Sequence, residues 1–193
     1  MIRKPQNWES VQAFSDRQKL PLGAYVCNVL KAAVSHTTYG DMLQIGFDIA
    51  EGEYKDFYKS DFNANTAQDK KWKGVLRVFL PRDDNSEKDE ITKRTLKGMV
   101  TSFEKSNPGY VWNWDETSLV GKQVGILYRN EEWEYNGKTG WAVRPFRAIS
   151  VDSVREGSFT FPPDKPLHGA SSAPAPTASN GGYTAVETDD LPF

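Results

Sequence analysis

Residues 121–151 read GKQVGILYRNEEWEYNGKTGWAVRPFRAISV, and Asn136-Gly137 near their centre is the strongest hairpin signal in the chain. A type I′ turn needs positive φ at both central residues, and Asn and Gly tolerate that best, so the dipeptide predicts a hairpin between strands at 121–135 and 138–151. A two-residue turn also sets the register. Tyr135 faces Lys138 and Trp133 faces Gly140, which puts Trp133, Tyr135 and Lys138 on one face and Glu132, Glu134, Thr139 and Trp141 on the other.

Upstream, residues 22–34 are rich in β-branched and small apolar side chains and read as a first strand. A second follows at 42–49, where Leu43, Ile45, Phe47 and Ile49 alternate with Met42, Gln44, Gly46 and Asp48. The polar residues 35–41 between them are expected to form a loop, and a third strand is expected at 54–62 after the Glu51-Gly52-Glu53 turn. Residues 63–88 carry no period that assigns them. From 89 to 105 the period changes, with Ile91, Thr95, Leu96, Met99, Val100 and Phe103 on one helical stripe, Ser86 or Asp89 as its cap and Asn107-Pro108-Gly109 as its stop. Three strands, a helix and a long hairpin is the element order of an OB-fold, a five-stranded Greek-key barrel whose helix lies between strands three and four. The predicted class is therefore mainly β, with one domain at 1–161 and a disordered tail at 162–193.

The tail follows from composition. Residues 166–193 hold Ala173-Pro174-Ala175-Pro176 and Gly181-Gly182, no lysine or arginine, and too few apolar residues to offset the entropy of ordering. Its acids are Glu187, Asp189 and Asp190, which leaves 24 basic against 23 acidic residues in 1–165, a net of +1, although the whole chain is at −2. About 165 residues suffice for one domain with its own core. The single cysteine, Cys27, excludes an internal disulfide and points to a reducing cytoplasm, and no apolar run approaches a membrane span or follows the charges of Met1-Ile2-Arg3-Lys4-Pro5.

The sequence closes with Asp189-Asp190-Leu191-Pro192-Phe193. A fixed terminal pentapeptide arises by accident about once per million chains at average residue usage. It resembles the acidic tip of bacterial single-stranded DNA-binding proteins at all five positions. That resemblance implies OB-fold binding of single strands and recruitment of replication and repair enzymes by the tip, inside a bacterial host cell. The physics of such a tip is independent of the family: the Phe193 ring fills a pocket, the carboxylates of Asp189, Asp190 and the terminus meet a basic rim, and Pro192 limits the conformations lost on docking. The body, in segments such as Tyr39-Gly40-Asp41-Met42-Leu43-Gln44-Ile45-Gly46-Phe47-Asp48 and Ser106-Asn107-Pro108-Gly109, resembles small phage and prophage proteins. It departs from the cellular family, whose tetrameric assembly is therefore not carried over, and whether the chain forms a homo-oligomer stays open.

A single-strand binder needs aromatic faces for bases and cations for phosphates. Six Trp, eight Tyr and ten Phe supply the first. The hairpin nominates Trp133, Tyr135 and Lys138, with Arg144 and Arg147 on its second strand, because Arg both stacks and pairs with phosphate. Tyr39 lies in the loop between strands one and two, which an OB-fold places beside this hairpin, and Lys55, Lys59, Trp72 and Lys73 form a basic-aromatic cluster. Phe47, Phe103, Trp112 and Trp114 are expected to pack. An enzyme is not expected: His36 in a turn and His168 in the tail form no metal or nucleophile set, no phosphate-binding glycine loop is present, and Asp83, Asp84, Asp89 and Glu90 read as a charged loop and helix cap. No cofactor and no membrane partner are expected. The competing reading is an adaptor or loader subunit of a phage replication complex whose body binds protein.

Overall fold

The structure, a computed structural model, describes residues 2–10 and 18–167. Their main elements are β1 (Ala24–Thr37), β2 (Gly40–Ile49), α1 (Phe57–Ala64), β3 (Val75–Phe79), α2 (Glu87–Ser106), β4 (Gln123–Tyr135), β5 (Lys138–Ile149) and α3 (Val151–Glu156), with 3-10 turns at Trp8–Ser10 and Glu116–Leu119. The strands form one antiparallel sheet in the order β3-β2-β1-β4-β5. No ladder joins β3 to β5 among the described residues, so the sheet is open, although these two edge strands approach one another. The long helix, α2, lies between β3 and β4 as expected. No helix among the described residues is long and apolar enough to cross a membrane.

The alternation in β2 becomes the core. Leu43, Ile45, Phe47 and Ile49 are buried with Val29 and Cys27 from β1, Leu76 and Val78 from β3, and Val124, Ile126 and Tyr128 from β4. Leu96, Met99, Val100 and Phe103 of α2 close that face, as a 3.6-residue period requires, while Ile91 and Thr95, expected on the same stripe, are exposed. Ser86 caps the helix by accepting from the Asp89 N–H at 3.1 Å. The Asp89 carboxylate accepts from the Arg82 and Asp83 N–H groups and pairs with Lys93 at 2.8 Å, and the ammonium beside it holds its pKa below the usual carboxylate value. In the core, the Tyr58 and Tyr128 hydroxyls bond to each other at 2.8 Å, and burial raises both phenol pKa values. Burial likewise raises the Cys27 thiol well above its ordinary value, which keeps it in the unreactive thiol form.

Four expectations are corrected. The loop at 35–41 is instead the end of a long hairpin: the β1–β2 ladder runs on through His36↔Asp41 and Thr37↔Gly40, leaving only Thr38-Tyr39 as the turn. Polar residues occupy these strand ends because both faces there reach solvent. The third strand is not at 54–62, where the chain forms a turn and α1; it is β3, within the unassigned stretch. Tyr54, Phe57, Tyr58 and Phe62 fall at i, i+3, i+4 and i+8, a helical period that outweighs their β-propensity. Trp112 is half-buried against the core, and Phe47 and Phe103 are fully buried, but Trp114 is 79% exposed on a residue with φ 66°. The chain past α3 also stays on the sheet beyond Pro162-Pro163: the Lys165 N–H donates to the Asn130 carbonyl, the Glu132 N–H donates to the Lys165 carbonyl, both at 2.9 Å, and the Leu167 N–H reaches Glu132. This segment covers an edge of β4 that β1 has left unpaired.

The start of α1 is secured from β2. Asp48 lies on the face opposite the core residues, yet it is only 6% exposed because α1 folds over it. Its Oδ1 accepts from the Ile49 and Tyr58 N–H groups at 2.9 Å, and its Oδ2 accepts from the Lys59 N–H at 3.0 Å. The Tyr58 and Lys59 N–H groups are two of the orphan donors of the first helical turn, and the local N-cap residue, Asp56, makes no side-chain cap.

Candidate nucleic-acid interface

Asn136 and Gly137 have φ of 49° and 72°, and β4 and β5 pair as Tyr135↔Lys138, Trp133↔Gly140, Glu131↔Ala142 and Arg129↔Arg144. Directly opposed residues share a face, so Trp133, Tyr135, Lys138 and Arg144 line one side of the arm together with Arg129. Past a bulge at Leu127/Tyr128, Arg147 opposite Leu127 continues that side. Tyr128 points to the core, so this side is the outer one. An ideal β-carbon on Gly140 would lie 2.7 Å from Trp133 Cζ2, so the indole rests on the glycine backbone and is half-buried. The bulge adds Phe146, with the Arg129 guanidinium 4.2 Å and that of Arg147 5.9 Å from its ring centroid.

The charge balance of this face favours anions. Glu131, its one acid along the paired stretch, is engaged by Arg129 and by Lys165 at 3.7 Å, whereas Lys138, Arg144 and Arg147 have no carboxylate partner among the described residues. Glu132 and Glu134 face the other way with Trp141. The arm thus presents aromatic surface and three unpaired cations on one side. That combination suits stacking of unpaired bases with phosphates held nearby.

The remaining sequence-nominated residues lie elsewhere. Tyr39 is 78% exposed at the β1–β2 tip, where the Thr37 hydroxyl accepts its N–H at 3.2 Å and Arg82 donates to its carbonyl. β4 pairs antiparallel with only the first five residues of β1, so the two hairpins leave their shared ladder in opposite directions along the strands. Lys55 and Lys59 are exposed around α1, and Lys73 pairs with Asp61 at 3.2 Å. Trp72 is half-buried; its indole N–H donates to the Phe47 carbonyl at 2.9 Å and its ring leans on Phe62 and Tyr58. These four form a second cluster, distinct from the arm.

Sequence reasoning missed the outer side of β1–β2–β3. The ladders set Ser35, Met42 and Phe79 in one row, Ala33, Gln44 and Arg77 in the next, and Lys31, Gly46 and Val75 in a third. Phe79 is 47% exposed, Lys31 and Arg77 are exposed, and the Gln44 amide donates to Ser35 at 2.9 Å. The signal was the alternation of Leu76 and Val78 with Val75, Arg77 and Phe79. It was too short to stand out between charged loops.

Asp189, Asp190, Leu191, Pro192 and Phe193 lie outside the described residues. No protein-family model matches the chain, and no curated protein matches it.

Proposed function

We propose that the chain is a single-stranded DNA-binding protein of phage or bacterial origin that coats exposed strands during replication or recombination and acts without enzymatic activity or cofactor in the host cytoplasm. The observation that carries this reading is the outer face of the β4–β5 arm, which lines up Trp133, Tyr135, Lys138, Arg144 and Arg147, with its one acid, Glu131, engaged by Arg129 and Lys165 and no carboxylate partner for the other cations among the described residues. The strand order β3-β2-β1-β4-β5 with a helix after the third strand supports an OB-type barrel that is open between β3 and β5. With a body net charge of +1, affinity rests on stacking and on this local cationic stripe. Tyr39, Lys55, Lys59 and Lys73 lie apart from the arm and are not needed for this reading. The tail beyond Leu167 serves as a tether for the tip.

Titration with oligo-dT tests this reading through intrinsic tryptophan fluorescence. A stacking binder is expected to be quenched to saturation, with affinity falling as salt rises. Unchanged fluorescence together with no retention of labelled oligo-dT would overturn it and favour the adaptor reading. The tip is tested separately. Changing Phe193→Ala, or removing residues 191–193, is expected to leave the melting temperature and oligo-dT affinity unchanged while abolishing capture of replication and repair enzymes. Equal capture by the truncated chain would reject the tip's role.

A further inference from the structure

We infer that Trp114 is an additional base-stacking position, on the loop between α2 and β4 and outside the β4–β5 arm; this rests on the single-strand-binding reading. Trp114 is 79% exposed, the most exposed tryptophan among the described residues, and it occupies the left-handed region at φ 66°. A bulky side chain pays backbone strain there, and such outliers persist where surrounding structure holds them. Here the hold is visible. The Trp112 N–H donates to Glu104 at 3.1 Å and the Asp115 N–H donates to Asn113 at 3.2 Å, which fixes the chain on both sides of the outlier. The Trp112 ring, packed against the core, meets the Trp114 ring edge-on with centroids 6.3 Å apart. The exposed indole therefore stands on a rigid support, which lowers the entropy cost of stacking a base on it.

The loop is also joined to the sheet. Residues 110–122 end against β1, where the Val29 N–H donates to the Lys122 carbonyl at 3.0 Å and the Gly121 N–H donates to the Val29 carbonyl at 2.9 Å. A bulge between Val29 and Lys31 turns Leu30 outwards, 51% exposed, beside exposed Val120. Lys31 continues that edge onto the outer rows of β1–β2–β3, and the Lys122 ammonium lies 4.9 Å from the Tyr110 ring centroid. Lys122 and the apolar Leu30 and Val120 thus lie where the loop that carries Trp114 meets β1, while Asp115 and Glu116 follow the indole in sequence. A cation and apolar surface are the groups a single strand uses for backbone and base.

The test compares full-length wild type with Trp114→Gly and Trp114→Phe on oligo-dT of about 30 nucleotides. Glycine adopts positive φ without strain, so Trp114→Gly is expected to melt at a higher temperature than wild type and yet bind about 10-fold more weakly, the loss of one stacked base. Trp114→Phe should restore most of the affinity. Gly and Phe variants that bind like wild type would overturn the assignment and leave the single-strand-binding reading intact. A wild type with no oligo-dT affinity would overturn both. A fall in molecular mass of the Gly variant in solution, without loss of oligo-dT affinity per chain, would reassign Trp114 to contact between copies and so reject its role with DNA.

Discussion

Replacing Trp133 and Tyr135 together by alanine is expected to weaken oligo-dT binding by about 2–6 kcal/mol, from about 1–3 kcal/mol for each stacked base. The slope of affinity against salt should stay nearly unchanged, because neither side chain displaces a counterion. Changing Lys138, Arg144 or Arg147 singly should do the reverse: a smaller loss, but a slope shallower by about 0.7 for each phosphate contact removed from a single strand. Trp133 rests on Gly140, so its removal also uncovers backbone, and Trp133→Phe with Tyr135→Phe is the variant that keeps the rings. Trp141→Ala on the opposite face controls for the hairpin itself, with a lower melting temperature expected and affinity close to wild type. A double alanine variant with wild-type affinity would move the stacking to Phe79 and the outer rows of β1–β2–β3.

This face was readable from sequence because two local rules agree on it. The Asn136-Gly137 turn sets a register, and a register of period two sorts every residue of the arm to a side. The helix α2 was readable for the same reason, since a long stripe at one period leaves little room for an alternative. What failed were short or doubly determined stretches. Tyr54, Phe57, Tyr58 and Phe62 satisfy β-propensity and helical spacing at once, and the decision between them was made by Asp48, a residue from another strand that satisfies donors in the first turn of α1. β3 has five residues, too few for its alternation to be distinctive. The hydrophobicity of Trp114 points to the core, but a positive φ in a loop is a property of the backbone that side-chain type does not announce.

The same distinction separates the two aromatic groups of the candidate site. Around α1, Trp72, Phe62 and Tyr58 lean on one another and the Trp72 N–H is already bonded to the Phe47 carbonyl, so these rings are engaged in holding the helix to the sheet. On the arm, Trp133 rests on a glycine and Tyr135 stands opposite an exposed lysine, with no aromatic partner for either among the described residues. An aromatic cluster read from composition includes both kinds. Only the contacts distinguish rings committed to packing from rings with a face to offer.

Asp48→Ala is expected to destabilise the fold by about 1.5–5 kcal/mol, combining loss of a cap, about 0.5–2 kcal/mol, with buried N–H donors left unsatisfied, about 1–3 kcal/mol. The Tyr58 N–H would lose its acceptor, and with it the first turn of α1 would loosen from β2. Tyr58 carries one half of the buried hydroxyl pair with Tyr128, and its ring packs edge-on against Phe47 at 5.6 Å, so the disturbance enters the core. Asp48→Asn keeps an oxygen for the Ile49 and Tyr58 donors but turns an amide N–H towards the Lys59 N–H, and its loss should fall between wild type and alanine. Chemical denaturation measures the series. Oligo-dT affinity, measured well below the melting temperature, separates the two clusters of the candidate site: if the β4–β5 arm carries the binding, Asp48→Ala binds within about twofold of wild type, a difference of only about 0.4 kcal/mol. A loss of affinity that tracks the loosening of α1 would shift the main contact to Lys55, Lys59 and Lys73.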